Sequence, residues 1–140
     1  MLLADTSAWI WSRRADHPEL RRWFDHQLVE GEIATCGVVQ LELLYGTRSG
    51  EEHDRRRLEL AALVTCPIGP NEWERAIEIQ NRLAHLGADH VKAAKLQDIA
   101  IAAAAESAGV EVLHNDADFD RIHEVSGQAT RWLAPKGSLG

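Results

Sequence analysis

Two acidic residues stand in apolar surroundings where an ordinary surface charge is not expected. On a predicted helix, Glu42 has Val38 and Val39 as its neighbours four and three residues away. Asp98 is followed by a run of isoleucine and alanine up to residue 105. Because a charged group in apolar surroundings needs a partner, Glu42 and Asp98 are candidates for a functional site.

Two further acids follow short apolar runs that predict β-strands. Asp5 comes directly after residues 2–4, and Asp116 follows the strand predicted at residues 110–113. Ligands of open α/β sheets bind beyond the carboxyl ends of the strands. The sequence therefore predicts that Asp5 and Asp116 lie at the ligand-binding edge of a sheet.

Several carboxylates held close together repel one another, and a divalent cation removes that conflict. Oxygen ligands without cysteine or paired histidines suit Mg²⁺ or Mn²⁺ rather than zinc. Such an ion activates water and neutralises phosphate charge. The chemistry indicated is phosphodiester hydrolysis.

Each of these acids also has a purely structural interpretation. Asp5 and Asp98 can act as helix N-caps, since aspartate is favoured at that position. Asp116 can be a plain turn residue, and Glu42 a glutamate at a helix edge. The residues by themselves leave these alternatives open.

The predicted elements alternate between strand and helix. Strands are expected at residues 2–4, 33–36, 66–68, 110–113 and 129–133. Helices are expected from residue 6 and over 18–30, 38–46, 51–64, 71–86, 90–107 and 119–123, with Leu58, Ala61 and Ala62 of the fourth facing inward. This alternation predicts an α/β fold with a central parallel sheet. At 140 residues, the chain is expected to form a single domain, residues 1–140.

The charge balance argues against a protein that binds nucleic acid through its overall field, because the net charge is −7. Arginine binds phosphate better than lysine does, and arginines cluster at residues 13–14, 21–22 and 55–57. These clusters can also be solvated helix faces. Cys36 and Cys66 show no metal-ligand pairing, so a reducing cytoplasm is expected. No apolar run reaches the roughly 20 residues of a membrane span.

Other metal motifs are excluded. Asp116, Asp118 and Asp120 have the spacing that opens a calcium loop, but Arg121 stands where that loop needs glycine, and Gly127 where it needs glutamate. The histidines form no zinc-helix motif, and no glycine-rich phosphate loop is present.

The order of these motifs resembles a PIN-domain protein of the VapC toxin type over essentially the whole chain. The residues that carry the resemblance are Asp5-Thr6-Ser7, Glu42-Leu43-Leu44-Tyr45-Gly46, Asp98 opening an alanine-rich helix, and Asn115-Asp116-Ala117-Asp118-Phe119. The resemblance implies a three-layer α/β/α domain acting as a Mg²⁺-dependent endoribonuclease, with Mn²⁺ as a possible substitute. It also implies a VapB-type antitoxin as inhibitor, a homodimer, and structured RNA such as transfer or ribosomal RNA as substrate.

The resemblance implies a role for each residue. Asp5 and Asp98 would be the chief metal ligands, and Asp116 would complete the site directly or through water. Glu42 would bind a second ion or orient the attacking water, and Asp118 would be a fifth member. Ser7 would position the metal shell or the scissile phosphate. The chain departs from the family pattern at His114, where a small hydroxyl residue is usual; packing, rather than general-base catalysis, is the role expected for it.

Two other classes remain as alternatives. A receiver-type domain also holds Mg²⁺ with aspartates at strand ends, but it needs adjacent acids after its first strand, where Thr6 and Ser7 follow Asp5. A non-catalytic binding module would use the acids to receive a basic segment of a partner, and a metal would be dispensable.

Overall fold

The computed structural model describes residues 1–139. Five parallel strands form one sheet in the order β3-β2-β1-β4-β5. The strands are β1 (Leu2–Ala4), β2 (Ile33–Cys36), β3 (Val64–Cys66), β4 (Glu111–His114) and β5 (Thr130–Trp132). The predicted parallel α/β architecture is confirmed.

Eight helices connect the strands. They are α1 (Thr6–Ser12), α2 (Pro18–Val29), α3 (Gly37–Tyr45), α4 (Gly50–Ala61), α5 (Pro70–Leu86), α6 (Ala88–Val91), α7 (Leu96–Ala108) and α8 (Asp118–Ser126). Because crossovers between parallel strands are right-handed, α1 to α4 cover one face of the sheet and α5 to α8 the other. The contacts within each group of helices agree with this three-layer arrangement.

The strand order reverses between β1 and β4. From β1 the chain moves outward through β2 to β3, and it then returns to the other side of β1 to add β4 and β5. Such a switch point leaves a crevice at the carboxyl ends of the two central strands, where ligands of α/β folds bind. A receiver-type domain has the order 2-1-3-4-5, so the sheet order contradicts that alternative.

Helix α7 is the central helix of its layer. Residues 98–105 are all buried, and five of them are alanines. Small side chains on every side let a helix lie close to the sheet and to its neighbouring helices, and α7 contacts α5, α8 and β4. Gly109 ends α7 with φ of 70°, a left-handed conformation that favours glycine, and the chain then enters β4.

Three local predictions were wrong. In α4, Leu58 is exposed, as are Ala61 and Ala62, and Leu60 is the side chain that reaches the core. Apolar residues are dense at the end of this helix, so composition did not identify its inner face. Asparagine is favoured at helix N-caps, and the helix predicted from residue 71 was expected to be capped by Asn71; Asn71 instead lies inside α5, whose N-cap is Gly69.

The third error concerns the helix predicted over residues 90–107. It is interrupted between Val91 and Leu96, so that α6 is a separate short turn and α7 begins only two residues before its first buried acid, Asp98. Lys95, with ψ of 148°, is the extended N-cap residue of α7. Among residues 1–139, no helix is both long enough and apolar enough to span a membrane.

Candidate metal centre

Three of the predicted acids meet at the carboxyl edge of the sheet. Asp98 lies in the first turn of α7, Asp116 follows β4, and Asp118 opens α8. One carboxylate oxygen from each lies within 4.8 Å of the others. We call these three residues, together with Asp5, the acidic group.

Asp5 joins the acidic group from β1. Its backbone N–H donates to the Leu113 carbonyl of β4 at 3.0 Å, which places it at the switch point. Its Oδ1 accepts from the Ala8 N–H at 2.9 Å, so Asp5 is also the N-cap of α1. The cap interpretation of Asp5 is therefore confirmed, although it does not exclude a ligand role, because the second carboxylate oxygen is not used by the cap.

Ser7 connects the two central strand ends. Its hydroxyl donates to the Asp5 carboxylate, with Oγ at 2.7 and 2.9 Å from the two oxygens. The same Oγ accepts the Asn115 backbone N–H at 2.8 Å. Ser7 thus holds the turn after β1 against the segment that carries Asp116.

Lys95 lies inside the acidic group, and the sequence reasoning missed it. Its Nζ lies 2.7 Å from Asp116 Oδ2, 3.2 Å from Asp118 Oδ2 and 3.6 Å from Asp98 Oδ2. Its backbone N–H also donates to Asp118 Oδ2 at 3.2 Å. The only feature of the sequence that could have identified Lys95 is its spacing of three residues from Asp98, which permits an ion pair on a helix. The contacts with Asp116 and Asp118 depend on the fold.

Burial and mutual repulsion act on the two innermost acids. Burial raises the pKa of Asp5 to about 6, although hydrogen bonds from Ala8 and Ser7 lower it and the Asp116 charge raises it further. Burial also raises the pKa of Asp98 to about 8; Lys95 opposes this rise, and the charges of Asp116, Asp5 and Asp118 add to it. Both carboxylates therefore hold protons more readily than free aspartate does.

The pKa values of Asp116 and Lys95 shift in opposite directions because the two side chains form an ion pair. Burial acts to raise the pKa of Asp116, but hydrogen bonds from Lys95 Nζ and the Asp118 N–H hold it below the ordinary value. The hydrogen bond to Asp116 in turn raises the pKa of Lys95. This pair is charged at neutral pH.

Glu42 is not one of the residues whose oxygens converge. It lies on α3, which follows β2 and contacts both α1 and α7. Its Oε1 is buried and has no hydrogen-bond partner within residues 1–139. Its charge contributes to raising the pKa of Cys36, after the larger effect of burial. Glu42 thus lies on the helix that follows β2, outside the three converging acids.

His114 is a packing residue, as expected. Its ring is fully buried between Phe119 and Trp132, with both ring centroids 4.9 Å away. Its Nδ1 accepts the Asp116 N–H at 3.2 Å. Burial lowers the pKa of His114 to about 4, so the ring is neutral. Its hydrogen bond with the Asp116 N–H helps to hold the segment that carries Asp116.

The donor set fits a hard divalent cation. It consists of carboxylate oxygens alone, which Mg²⁺ and Mn²⁺ prefer. Asp98 Oδ2 is buried and accepts no hydrogen bond from the described residues. A buried anionic oxygen without a donor is costly, and a cation bound by the acidic group would satisfy it. The interpretation of Asp98 as an N-cap is wrong, since Lys95 occupies that position.

Comparison with known proteins agrees with this fold. The sequence profile of the PIN domain matches residues 2–125. Ribonuclease VapC18 of Mycobacterium tuberculosis is 38% identical over 96% of this chain and 96% of its own length. Ribonuclease VapC51 of the same organism is 35% identical over 98% and 96%. The chain therefore belongs to the PIN-domain family and, within it, to the VapC proteins.

Solved structures show the same fold at lower identity. The DNA-bound VapBC complex of Salmonella typhimurium contains a chain with a TM-score of 0.71 and 20% identity, covering 96% of this chain and 100% of that one. A chain of the FitAB complex bound to an IR36 DNA fragment has a TM-score of 0.72 and 19% identity, covering 95% of each.

Proposed function

We propose that this chain is a VapC-type endoribonuclease toxin that hydrolyses RNA phosphodiester bonds with Mg²⁺, for which Mn²⁺ can substitute. The observation that carries the proposal is the convergence of Asp98, Asp116 and Asp118 within 4.8 Å, with Asp5 beside them at the switch point. The full-length similarity to ribonucleases VapC18 and VapC51 supports it.

The proposed ligands are Asp5, Asp98 and Asp116. When bound, Mg²⁺ would supply a water of lowered pKa and neutralise charge on the phosphate. Asp118 adds negative charge and anchors the Lys95 backbone. Ser7 keeps the Asp5 carboxylate oriented through its two contacts with that group.

Glu42 is proposed to hold a second ion or to orient the attacking water. Its buried Oε1 without a donor supports a role toward a group outside the protein chain. Because Glu42 lies on α3, outside the three converging acids, the role proposed for it is separate from theirs.

RNA is the proposed substrate, with structured RNA the class that family resemblance favours. Of the arginine clusters, Arg13 and Arg14 are engaged by Asp25 and Asp16. In the part of the chain that the structure describes, the arginines without an ion-pair partner in these clusters are Arg21, Arg22, Arg55 and Arg57. These free guanidinium groups are the ones available to phosphates on a protein whose net charge is −7.

A VapB-type antitoxin and a second copy of the chain are the proposed protein partners. The VapBC complexes among the structural neighbours support the first. Two groups of exposed apolar side chains support protein contacts: Leu41, Tyr45 and Leu58 on α3 and α4, and Trp73, Ile77 and Leu96 on α5 and α7.

A cytoplasmic location and a single domain over residues 1–140 complete the proposal. Cys36 and Cys66 are register partners on neighbouring strands and are free thiols, which suits a reducing compartment. The one sheet takes strands from the N-terminal Leu2–Ala4 to the C-terminal Thr130–Trp132.

A non-catalytic module that receives a basic segment is the second candidate. The contacts of Lys95 favour it, because they show that the acidic group accepts an ammonium ion. This candidate predicts binding of a basic peptide in EDTA and no cleavage of RNA.

One experiment separates the two. Antitoxin-free protein is incubated with labelled structured RNA in Mg²⁺ or in EDTA, alongside Asp5→Asn and Asp98→Asn. Asp89→Asn, which changes an exposed acid outside the group, is the matched control. We expect cleavage by the wild type and the control in Mg²⁺ only. Cleavage in EDTA, or by both site variants, would show that the proposed mechanism is wrong.

A further inference from the structure

Among residues 1–139, Lys95 is the one cation that touches three members of the acidic group. Its ammonium nitrogen lies at hydrogen-bond distance from Asp116 Oδ2 and Asp118 Oδ2 and 3.6 Å from Asp98 Oδ2. An ammonium ion has three donors and no acceptor, so it matches a cluster of carboxylate oxygens in charge and in hydrogen bonding.

The backbone of Lys95 is held in place, so its side chain starts from a defined position. Lys95 follows the buried Ala94 and is the N-cap residue of α7. Its N–H is held by Asp118 Oδ2, the same oxygen that its own ammonium group contacts. The side chain therefore begins beside the acidic group and needs only to fold back onto it.

The ammonium ion and a divalent ion compete for the same oxygens. Mg²⁺ requires carboxylate oxygens at 2.0–2.1 Å in near-octahedral geometry, whereas Lys95 Nζ lies 2.7 Å from Asp116 Oδ2. The Lys95 side chain is 56% exposed, so it can swing out into water without opening the core.

We propose that Lys95 is an internal counter-ion of the acidic group, which a divalent ion must displace from Asp116 and Asp118 in order to bind. The proposal rests on the proposed function, because it takes the acidic group to be the metal site. In the metal-free protein, Lys95 offsets the repulsion among the carboxylates and stabilises the fold. In the metal-bound protein, the released ammonium group stays tethered at the edge of the site.

The first test measures Mn²⁺ affinity by calorimetry for the wild type, Lys95→Gln, Lys95→Met and Lys92→Gln. Lys92 is the matched control, since it carries the same charge on the same connection between α6 and α7 and has no ion-pair partner within residues 1–139. In the wild type and in Lys92→Gln, Mn²⁺ must break the charge-assisted hydrogen bonds between Lys95 and the acidic group. The two Lys95 variants lack these bonds, so both should bind Mn²⁺ about tenfold more tightly than the wild type.

The second test measures thermal unfolding of the same proteins in EDTA. Without their counter-ion the carboxylates repel one another, so both Lys95 variants should melt about 3–6 °C lower than the wild type. Lys92→Gln should melt with the wild type. Unchanged melting of the Lys95 variants would show that Lys95 does not offset the repulsion.

The third test follows displacement directly. Lysine acylation by a small active ester is mapped by mass spectrometry with and without Mn²⁺. Lys95 should be labelled several-fold faster when Mn²⁺ is present, and Lys92 should be labelled equally in both conditions. Labelling of Lys95 that Mn²⁺ does not increase would show that the side chain is not displaced.

The outcomes distinguish the two proposals. If the wild type binds Mn²⁺ and the Lys95 variants bind it no more tightly than Lys92→Gln, the counter-ion role is wrong and the metal site stands. If neither the wild type nor any variant binds Mn²⁺, the metal site and the counter-ion role both fail.

Discussion

The hydroxyl of Ser7 accepts the backbone N–H of Asn115 at 2.8 Å and donates to the carboxylate of Asp5. One side chain thereby connects the two central strands at their carboxyl ends, where the chain order of the sheet reverses. Asp5 lies on one side of this bridge, and Asp116 directly follows Asn115 on the other. The distance between two proposed metal ligands therefore depends on Ser7.

Replacing Ser7 with alanine should loosen this bridge. The Asn115 N–H loses its partner, which costs about 1–2 kcal/mol of unfolding free energy. The pKa of Asp5 should rise further, because the hydrogen bond from Ser7 lowers it, and Mn²⁺ binding near pH 6 should weaken. Urea unfolding and calorimetry measure the two effects. Ser107→Ala, at an exposed serine, is the control; equal behaviour of the two variants would contradict the bridge.

Asp98→Asn should stabilise the metal-free protein increasingly as pH rises. The pKa of Asp98 is raised from 3.8 to about 8 in the folded state, so folding retains a proton that the unfolded chain releases above pH 4. Wild-type stability in EDTA is therefore lost as pH rises from about 4 to 8, whereas asparagine has no such loss.

Urea unfolding of both proteins in EDTA at pH 4.5, 6 and 8 tests this sign. We expect nearly equal stability at the lowest pH and an advantage of at least about 1 kcal/mol for Asp98→Asn at the highest. Comparing the two proteins cancels the contributions of Asp5 and His114, which also titrate in this range. An advantage that shrinks with pH would show that Asp98 is not destabilised by its surroundings.

Two variants of Asp5 separate its cap role from its proposed ligand role. Asparagine keeps an oxygen that can accept the Ala8 N–H, but alanine does not. Asp5→Ala should therefore be about 1 kcal/mol less stable than Asp5→Asn in EDTA. Both should bind Mn²⁺ much more weakly than the wild type. Equal stabilities would argue against the cap, and wild-type Mn²⁺ affinity in Asp5→Asn would argue against the ligand role.

Glu42→Gln should reduce RNA cleavage without unfolding the protein. The amide has nearly the same shape, and the buried Oε1 makes no hydrogen bond that the change would break. If Glu42 orients the attacking water, single-turnover cleavage should fall by about 10²-fold or more. Glu51→Gln, at an exposed glutamate of α4, should cleave like the wild type. Unchanged cleavage by Glu42→Gln would remove this residue from the site.

Strand-helix alternation was readable from the sequence because local signals determine it. The apolar run before Asp5 and the one before Asp116 are both strands, and both acids lie at the predicted edge of the sheet. The inward face of α4 was not readable, since Leu58 and Leu60 are equally apolar and only the packing of the helix decides which of them is buried. The break before α7 was hidden by residues 92–94, which are good helix formers.

The amino-acid sequence by itself made a few acids candidates for a functional site and predicted that β1 and β4 would each bring one of them to the same edge of the sheet. Spacing and apolar neighbours are local properties, and they identify Asp5, Asp98 and Asp116 without any tertiary contact. Only the tertiary structure decided that Asp118 converges with Asp98 and Asp116, that Glu42 is not one of the converging acids, and that Lys95 lies among them. The reason is physical: residues far apart in the sequence, such as Lys95 and Asp116 at a separation of 21 positions, meet only because strand order and helix packing bring them together.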